Sequence, residues 1–282
     1  MSDVVLFENP DLWAAERYEL SHQVQRFRTC AGMIPADSTS LLDVGAGNGA
    51  FLAYLARERA ELSTVGLERS PVAIAHAVTE APLLEGSGEQ LPFADRSVDV
   101  VSALEVIEHF PHGVYETCLS EMERVAGRGI LISVPYRERR LRVNCPYCGC
   151  AFNPHYHMRS FDEGVMRTLF SKFECVDIRT IDVPDVPLGS VIKPVYRWAR
   201  GRMGFFPWGA VCPQCGFRST QLSEDGGAGD ADAAAAPAPP AAGTDRTHVR
   251  TARALRLGTM FRRAIPNVPS PRWMAAFYRR KG

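Results

Sequence analysis

LLDVGAGNGAF, residues 41–51, decides how the chain is read. A short apolar run with the length of a buried strand ends at glycine. Gly45, Gly47 and Gly49 then stand where it must turn into the helix that AFLAYLARERAEL predicts. Glycines permit a tight turn and let a ligand approach the main chain, while the N-terminus of the following helix supplies unpaired N–H groups. TVGLE reads as the next strand and ends at Glu68, 19 residues after Gly49, where a carboxylate can accept both hydroxyls of a ribose.

Outward from this stretch, strand and helix alternate. PVAIAHAV reads as helix, SVDVVSAL as strand, VYETCLSEMERVA as helix and GILISVP as strand. A further helix is expected from Phe161 to Phe173, then a strand through CVDIRTI. Upstream, residues 11–32 predict one or two helices, with Leu12, Trp13, Tyr18, Leu20 and Val24 at roughly helical intervals. Such alternation builds an α/β fold whose parallel sheet is covered on both faces.

The D-x-G-x-G-x-G run from Asp43 to Gly49, with EQLPFADRSVDVV at residues 89–101, resembles the class I S-adenosylmethionine-dependent methyltransferases. The resemblance covers about residues 11–182, with RWMAAFYRR expected as the seventh strand. It implies a Rossmann-like, doubly wound, mostly parallel seven-stranded sheet and S-adenosylmethionine as cofactor. It puts Gly45, Ala46, Gly47, Asn48 and Gly49 against the methionine part, Asp43 behind the turn, Glu68 with Arg69 at the ribose, and Ser87, Gly88 and Glu89 near adenine. Many members carry Asp at the place of Ser87, so here the Ser hydroxyl or the backbone would meet the adenine amino group. A dinucleotide would call instead for G-x-G-x-x-G spacing.

ALEVIEHF, residues 103–110, follows the fourth strand, whose end borders the ligand crevice in such a sheet. If it begins a helix, Glu105, Glu108 and His109 fall at i, i+3 and i+4 on one face, where they can bind Mg²⁺ or another divalent ion; His109 alone could act as general base, or the group could only position the acceptor. The E-x-x-E-H pattern is similar to that of ubiquinone-pathway O-methyltransferases and of small-RNA 2'-O-methyltransferases. In the RNA enzymes a later histidine joins it, for which His157 is the candidate.

Eight cysteines occur in the chain. Cys30, Cys118 and Cys175 stand alone in apolar or helical surroundings, as buried thiols do. Cys145 with Cys148, and Cys212 with Cys215, repeat one C-P-x-C-G frame, and two such knuckles complete a tetrahedral site for a structural Zn²⁺. The 63 residues between the knuckles include a helix and a strand of the main fold, so this zinc ribbon is expected to be assembled from two insertions. Cys150 could replace one of the four ligands. Redox chemistry is disfavoured because neither pair precedes a convincing helix.

The expected organisation is a methyltransferase domain at 1–182 carrying the first knuckle at 143–151, an insertion at 183–222 with the second, a low-complexity disordered linker at 223–247, and a basic segment at 248–282. Formal net charge is zero, but residues 246–282 hold ten of the 32 basic residues and no acid, which leaves the rest net acidic. That basic tail could meet phosphate or anionic lipid, or be a solvated surface. Arg137, Arg139, Arg140 and Arg142 could likewise grip a phosphate-bearing substrate or form a solvated loop. No apolar run approaches a membrane span, and MSDVVLFENP lacks the pattern of an export signal, so a cytoplasmic protein is expected. These features point to methylation of an oxygen or nitrogen on a small-molecule or carbohydrate-like acceptor. Alternatives are metal-dependent RNA 2'-O-methylation, against which the acidic body weighs, and a non-catalytic scaffold that kept the cofactor fold.

Overall fold

The structure is a computed structural model that describes residues 4–140, 142–187, 210–218 and 267–282. In chain order its elements are α1 (Val4–Phe7), two 3₁₀ turns at Pro10–Trp13 and Ala15–Arg17, α2 (Ser21–Ala31), β1 (Ser40–Val44), α3 (Ala50–Glu58), β2 (Ser63–Glu68), α4 (Pro71–Ala75) and β3 (Leu83–Glu85). They continue with β4 (Val98–Leu104), α5 (Val114–Val125), β5 (Ala126–Pro135), β6 (Val143–Asn144), β7 (Ala151–Phe152), α6 (Glu163–Arg167), β8 (Phe173–Pro187) and β9 (Asn267–Arg280).

Seven strands form one sheet in the order β3-β2-β1-β4-β5-β9-β8, and β6 pairs with β7 in a separate two-stranded ribbon. β1 lies parallel to β2 and β4, and β4 parallel to β5; β9 inserts antiparallel between β5 and β8. The strands at the centre are apolar nearly throughout because both faces are covered. On one face Leu42, Val101, Ile130, Ile132 and Met274 pack with Met122 of α5 and Phe170. On the other, Leu41, Val100, Leu131 and Ala275 pack with Phe27 of α2 and Leu52 and Leu55 of α3. β1 and β4 both end at this crevice, with the strand order reversing at β1, the usual place for a ligand in an open α/β sheet.

The expected last strand forms, and it is what ties the chain's end into the sheet. Helices are shorter than the sequence suggests. The segment at 161–173 holds only the one-and-a-half turns of α6: Phe161 bridges to Tyr136 and is not helical, and the Asp162 side chain caps α6 by accepting from the Val165 N–H at 2.9 Å. β8 runs on to Pro187, so a domain boundary drawn at 182 falls inside a strand. Residues 219–266, which include the expected linker at 223–247 and the first part of the basic segment, lie outside the described residues, as does most of the insertion at 183–222. Among the described residues no helix is long and apolar enough to cross a membrane.

Candidate active site and cysteine clasp

The glycine turn closes a cavity of about 280 Å³ at the ends of β1, β2 and β4. Gly45, Gly47 and Gly49 all take positive φ, at 70°, 58° and 77°. At Gly47 the requirement is also steric: a Cβ there would lie 2.6 Å from the Trp13 ring. Glu68 faces the turn, its Oε2 accepting from the Gly47 N–H at 2.8 Å and its Oε1 from the N–H groups of Arg69 and Ser70 at 2.7 and 2.8 Å. Asp43 is buried behind the turn and accepts from the Ser102 hydroxyl at 2.6 Å. Burial raises its pKa to about 7 despite that hydrogen bond.

Of the residues expected at the cofactor, Asp43, Gly45, Ala46, Gly47, Asn48, Glu68, Arg69, Ser87, Gly88 and Glu89 line the cavity. Gly49 does not; it is the N-cap of α3. The Ser87 hydroxyl donates to the Glu89 carboxylate at 3.2 Å.

The chain before β1 adds walls that helical periodicity did not reveal. Phe7, Trp13, Tyr18 and Arg26 line the same cavity. Trp13 Nε1 donates to the Phe7 carbonyl at 2.7 Å, and Asn48 Nδ2 donates to the Trp13 carbonyl at 3.0 Å, which fixes the segment over the glycine turn. The guanidinium of Arg26 is buried, 3.5 Å from Glu105 and 5.0 Å above the Trp273 ring, with its Nε unpartnered. One signal was available for it: an arginine on the α2 face that also buries Phe27 and Cys30.

The expected helix at 103–110 does not form. β4 ends at Leu104, Glu105 takes φ 60°, and the next helix, α5, starts only at Val114 after Gly113. Glu105 is held there by its N–H to Ser133 and by Trp273 Nε1, which donates to Oε2 at 2.6 Å. The turn separates the three expected residues. Glu105 points toward Arg26 and Trp273, while Glu108 and His109 meet His157, and ligand atoms of those last three lie within 4.8 Å of one another.

Among the described residues, Glu108 is fully buried with neither carboxylate oxygen hydrogen-bonded, and His109 Nδ1 is likewise buried and unpartnered. Burial, with the Glu105 carboxylate nearby, holds the Glu108 pKa well above the usual carboxylate range; burial, with His157 and His155 beside it, pushes the His109 imidazole well below its own. Leaving such groups unsatisfied costs about 1–3 kcal/mol each, more if charged, and a cation would satisfy them. The set of one carboxylate and two imidazoles suits a transition metal or Zn²⁺ better than Mg²⁺, which prefers oxygen ligands. His157 is supported by Glu138, which bonds its Nδ1, and its ring centroid lies 4.6 Å from that of His109.

The two cysteine frames fold alike. In the first, Cys145 N–H donates to Cys150 O and Gly149 N–H to Cys145 O, both at 2.9 Å; in the second, Cys212 N–H donates to Phe217 O and Gly216 N–H to Cys212 O, also at 2.9 Å. Gly149 and Gly216 have φ of 75° and 72°, which explains the glycine after each second cysteine. N–H groups of Tyr147 and Cys148 face the Cys145 sulfur, and those of Gln214 and Cys215 face that of Cys212. The sulfurs of Cys145 and Cys215 are 3.7 Å apart, those of Cys148 and Cys212 3.6 Å, and all four lie within 4.8 Å of one another. A zinc ion with four sulfurs at about 2.3 Å has tetrahedral edges of about 3.8 Å, so the group fits that ion. Cys150 is not one of the four.

Three of the four arginines before the first knuckle bond to neighbouring segments. Arg137 pairs with Glu163 at 2.9 Å, Arg140 donates to Met158 O, and Arg142 donates to Ala151 O at 3.3 Å. All three contacts are exposed; the first two tie the chain before the knuckle to α6 and to the segment after β7, and the third closes the knuckle's own hairpin.

Residues 42–133 match the family described as "Methyltransferase domain". That span covers β1 to most of β5, with the glycine turn, Glu68 and the E-x-x-E-H turn inside it. The chain is 26% identical over 130 residues to a fatty-acid O-methyltransferase of Mycolicibacterium smegmatis, covering 44% of this chain and 46% of that protein. It is 28% identical over 111 residues to a phthiotriol/phenolphthiotriol dimycocerosates methyltransferase of Mycobacterium leprae, covering 38% and 40%. The chain thus spans less than half the length of these curated relatives. A structure of an S-adenosylmethionine-dependent methyltransferase from Archaeoglobus fulgidus superposes with a TM-score of 0.50 at 13% identity over 94% of this chain and 97% of that one, a likeness of fold alone. The sequence matches thus place a methyltransferase domain at residues 42–133.

Proposed function

We propose that the protein transfers a methyl group from S-adenosylmethionine to an oxygen or nitrogen nucleophile of a small-molecule acceptor, with a divalent cation held by Glu108, His109 and His157 beside the reacting atoms. The observation that carries this reading is the buried, unpartnered Glu108 carboxylate next to His109, which itself lines the cavity at the glycine turn.

When bound, S-adenosylmethionine supplies a sulfonium methyl. Gly45 to Asn48 offer the main chain to its methionine part, Glu68 accepts from the ribose, and Ser87 to Glu89 border the adenine. Arg26 is suited to the cofactor's carboxylate because its buried Nε still lacks an acceptor. Phe7 and Trp13 exclude water from the crevice, so that positioning can supply much of the rate. The cation would supply positive charge beside an acceptor oxygen as that oxygen gives up its proton. Without a cation, His109 is neutral at pH 7, since burial depresses its pKa, and could take that proton itself.

The acceptor is read as small and partly apolar. Phe7 packs edge-on against His109 at 5.1 Å, Phe110 adds a second aromatic wall, and a relative is named for fatty-acid O-methylation. RNA 2'-O-methylation is the second reading, favoured by His157 joining Glu108 and His109 and weakened by the engagement of Arg137, Arg140 and Arg142. The Cys145, Cys148, Cys212 and Cys215 group is read as a structural zinc site.

The test is incubation of organic-soluble, water-soluble and RNA fractions of cell extract with the protein and methyl-labelled cofactor, with and without added Mn²⁺, Zn²⁺ or Mg²⁺. Label is expected in an organic-soluble or sugar-bearing product, stimulated by one of these ions and reduced at least about 100-fold in Glu108→Ala, the scale lost with a principal electrostatic contact. Label confined to RNA supports the second reading. Metal-independent transfer that Glu108→Ala leaves intact refutes the cation, and no cofactor binding by calorimetry refutes both enzymatic readings.

A further inference from the structure

We infer that the four-cysteine clasp is a positioning device for the crevice: through Tyr156 it fixes where His155 and His157 stand over His109. The inference deepens the preceding reading, on which its metal-affinity arm rests.

The connection is short. The first knuckle returns through β7 to Phe152, which is buried in the clasp's own small core with Cys145, Ala210 and Cys212. The chain then makes a tight turn, with His155 N–H donating to Asn153 Oδ1 at 2.9 Å and Tyr156 N–H to Asn153 O at 3.1 Å. Tyr156 has φ 58°, a left-handed conformation that costs a bulky residue energy and persists only where the surroundings impose it. Two contacts impose it here. Its ring packs on Phe152, centroids 6.1 Å apart, and its hydroxyl donates to Val211 O of the second knuckle at 2.9 Å.

Val211 immediately precedes Cys212, and Tyr156 immediately precedes His157. One hydrogen bond therefore joins a residue beside a clasp thiolate to a residue beside a histidine of the crevice. On the other side of Tyr156, the His155 ring lies 5.5 Å from that of His157. Past His157, the Met158 N–H donates to Glu108 O at 2.7 Å, so the strap from 153 to 158 is fastened at both ends, to the clasp and to the crevice turn. The second knuckle comes from beyond β8, more than 50 residues later in sequence, and its closing on the first would set the strap. Tyr156 is accordingly a positioning residue. It does not line the cavity; its main chain bonds the His109 ring, and its hydroxyl acts through its neighbours.

The decisive variant is Tyr156→Phe, which removes the hydroxyl and keeps the ring. Three measurements on the full chain are compared with the parent. Zinc content by atomic emission and cofactor affinity by calorimetry are expected to stay within about twofold, which shows that clasp and cradle are folded. Mn²⁺ affinity of the crevice, followed by electron paramagnetic resonance, is expected to fall about 10-fold or more, as when a support behind a metal ligand is removed. Carbethoxylation of the half-buried His157 by diethylpyrocarbonate, read by peptide mass spectrometry, is expected to rise several-fold relative to the exposed His76 and His112 of the same molecule. Unchanged Mn²⁺ affinity together with unchanged histidine reactivity overturns the inference. If the parent protein binds no Mn²⁺, the cation reading of the crevice fails, and the reactivity comparison alone decides the clasp's role.

Discussion

The glycine turn at 45–49 and the cysteine clasp both use positive-φ glycine to place main-chain N–H groups where a ligand needs them, but they are built over very different lengths of chain. The turn is one continuous segment, closed by an acid 19 residues on. The clasp needs knuckles separated by 63 residues, with α6 and the edge strand β8 lying between them in sequence. A local site is set by backbone geometry, whereas a divided one also requires that the fold and the metal agree. The cradle should therefore survive loss of the clasp, and the reverse should hold as well.

The strongest way to break that comparison is Cys212→Ser. Structural zinc in cysteine sites contributes on the order of 10 kcal/mol of apparent binding energy, and three thiolates with one hydroxyl hold it far less well. Zinc content is expected to fall from one per chain toward none, with cofactor affinity changed less than about threefold. A parallel collapse of cofactor binding, measured by calorimetry, would mean that the two regions are one cooperative unit.

Gly47→Val is the converse. A Cβ 2.6 Å from the Trp13 ring, at a φ that β-branched residues avoid, should lower cofactor affinity about 100-fold, or about 2.7 kcal/mol, while zinc content stays at one. Retained affinity would show that the turn does not approach the cofactor closely.

The third effect is smaller and sharpens the description of the cradle. Asp43 has its pKa raised to about 7 by burial, against an ordinary value near 4. Between those values the unfolded chain has lost the proton that the folded chain keeps. Stability contributed by this group is thus fully present below about pH 4, falls by up to about 1.4 kcal/mol per pH unit as pH rises, and levels off above about 7. Denaturant unfolding from pH 5 to 8 should show a shallower decline in Asp43→Asn than in the parent. Equal slopes would place the group's pKa near its ordinary value.

Much of the cradle was legible because its determinants are local. Asp43, the three glycines and Glu68 are fixed by strand ends and turn geometry, and all but Gly49 line the cavity. The crevice turn was legible in composition and misread in shape: Glu105, Glu108 and His109 have helical spacing, but Trp273 and Arg26, from distant parts of the chain, hold Glu105 in a conformation that a helix forbids. Competition of that kind cannot be seen in a window of eight residues. The covering segment was missed for a similar reason, since Trp13 and Tyr18 follow 3₁₀ turns and not a helical face.

The sequence by itself determined the alternation of strands and helices, the ligand-ready turn after β1, the acid after β2 and the twin knuckles, because each rests on the preferences of neighbouring residues. Only the tertiary structure decided that Glu108 and His109 meet His157 and lose Glu105, that three of the arginines before the first knuckle bond to neighbouring segments, and that a tyrosine beside His157 bonds the residue before Cys212. Those outcomes depend on which distant groups reach a buried site first, and in a packed interior each satisfied polar atom removes a partner from all the others.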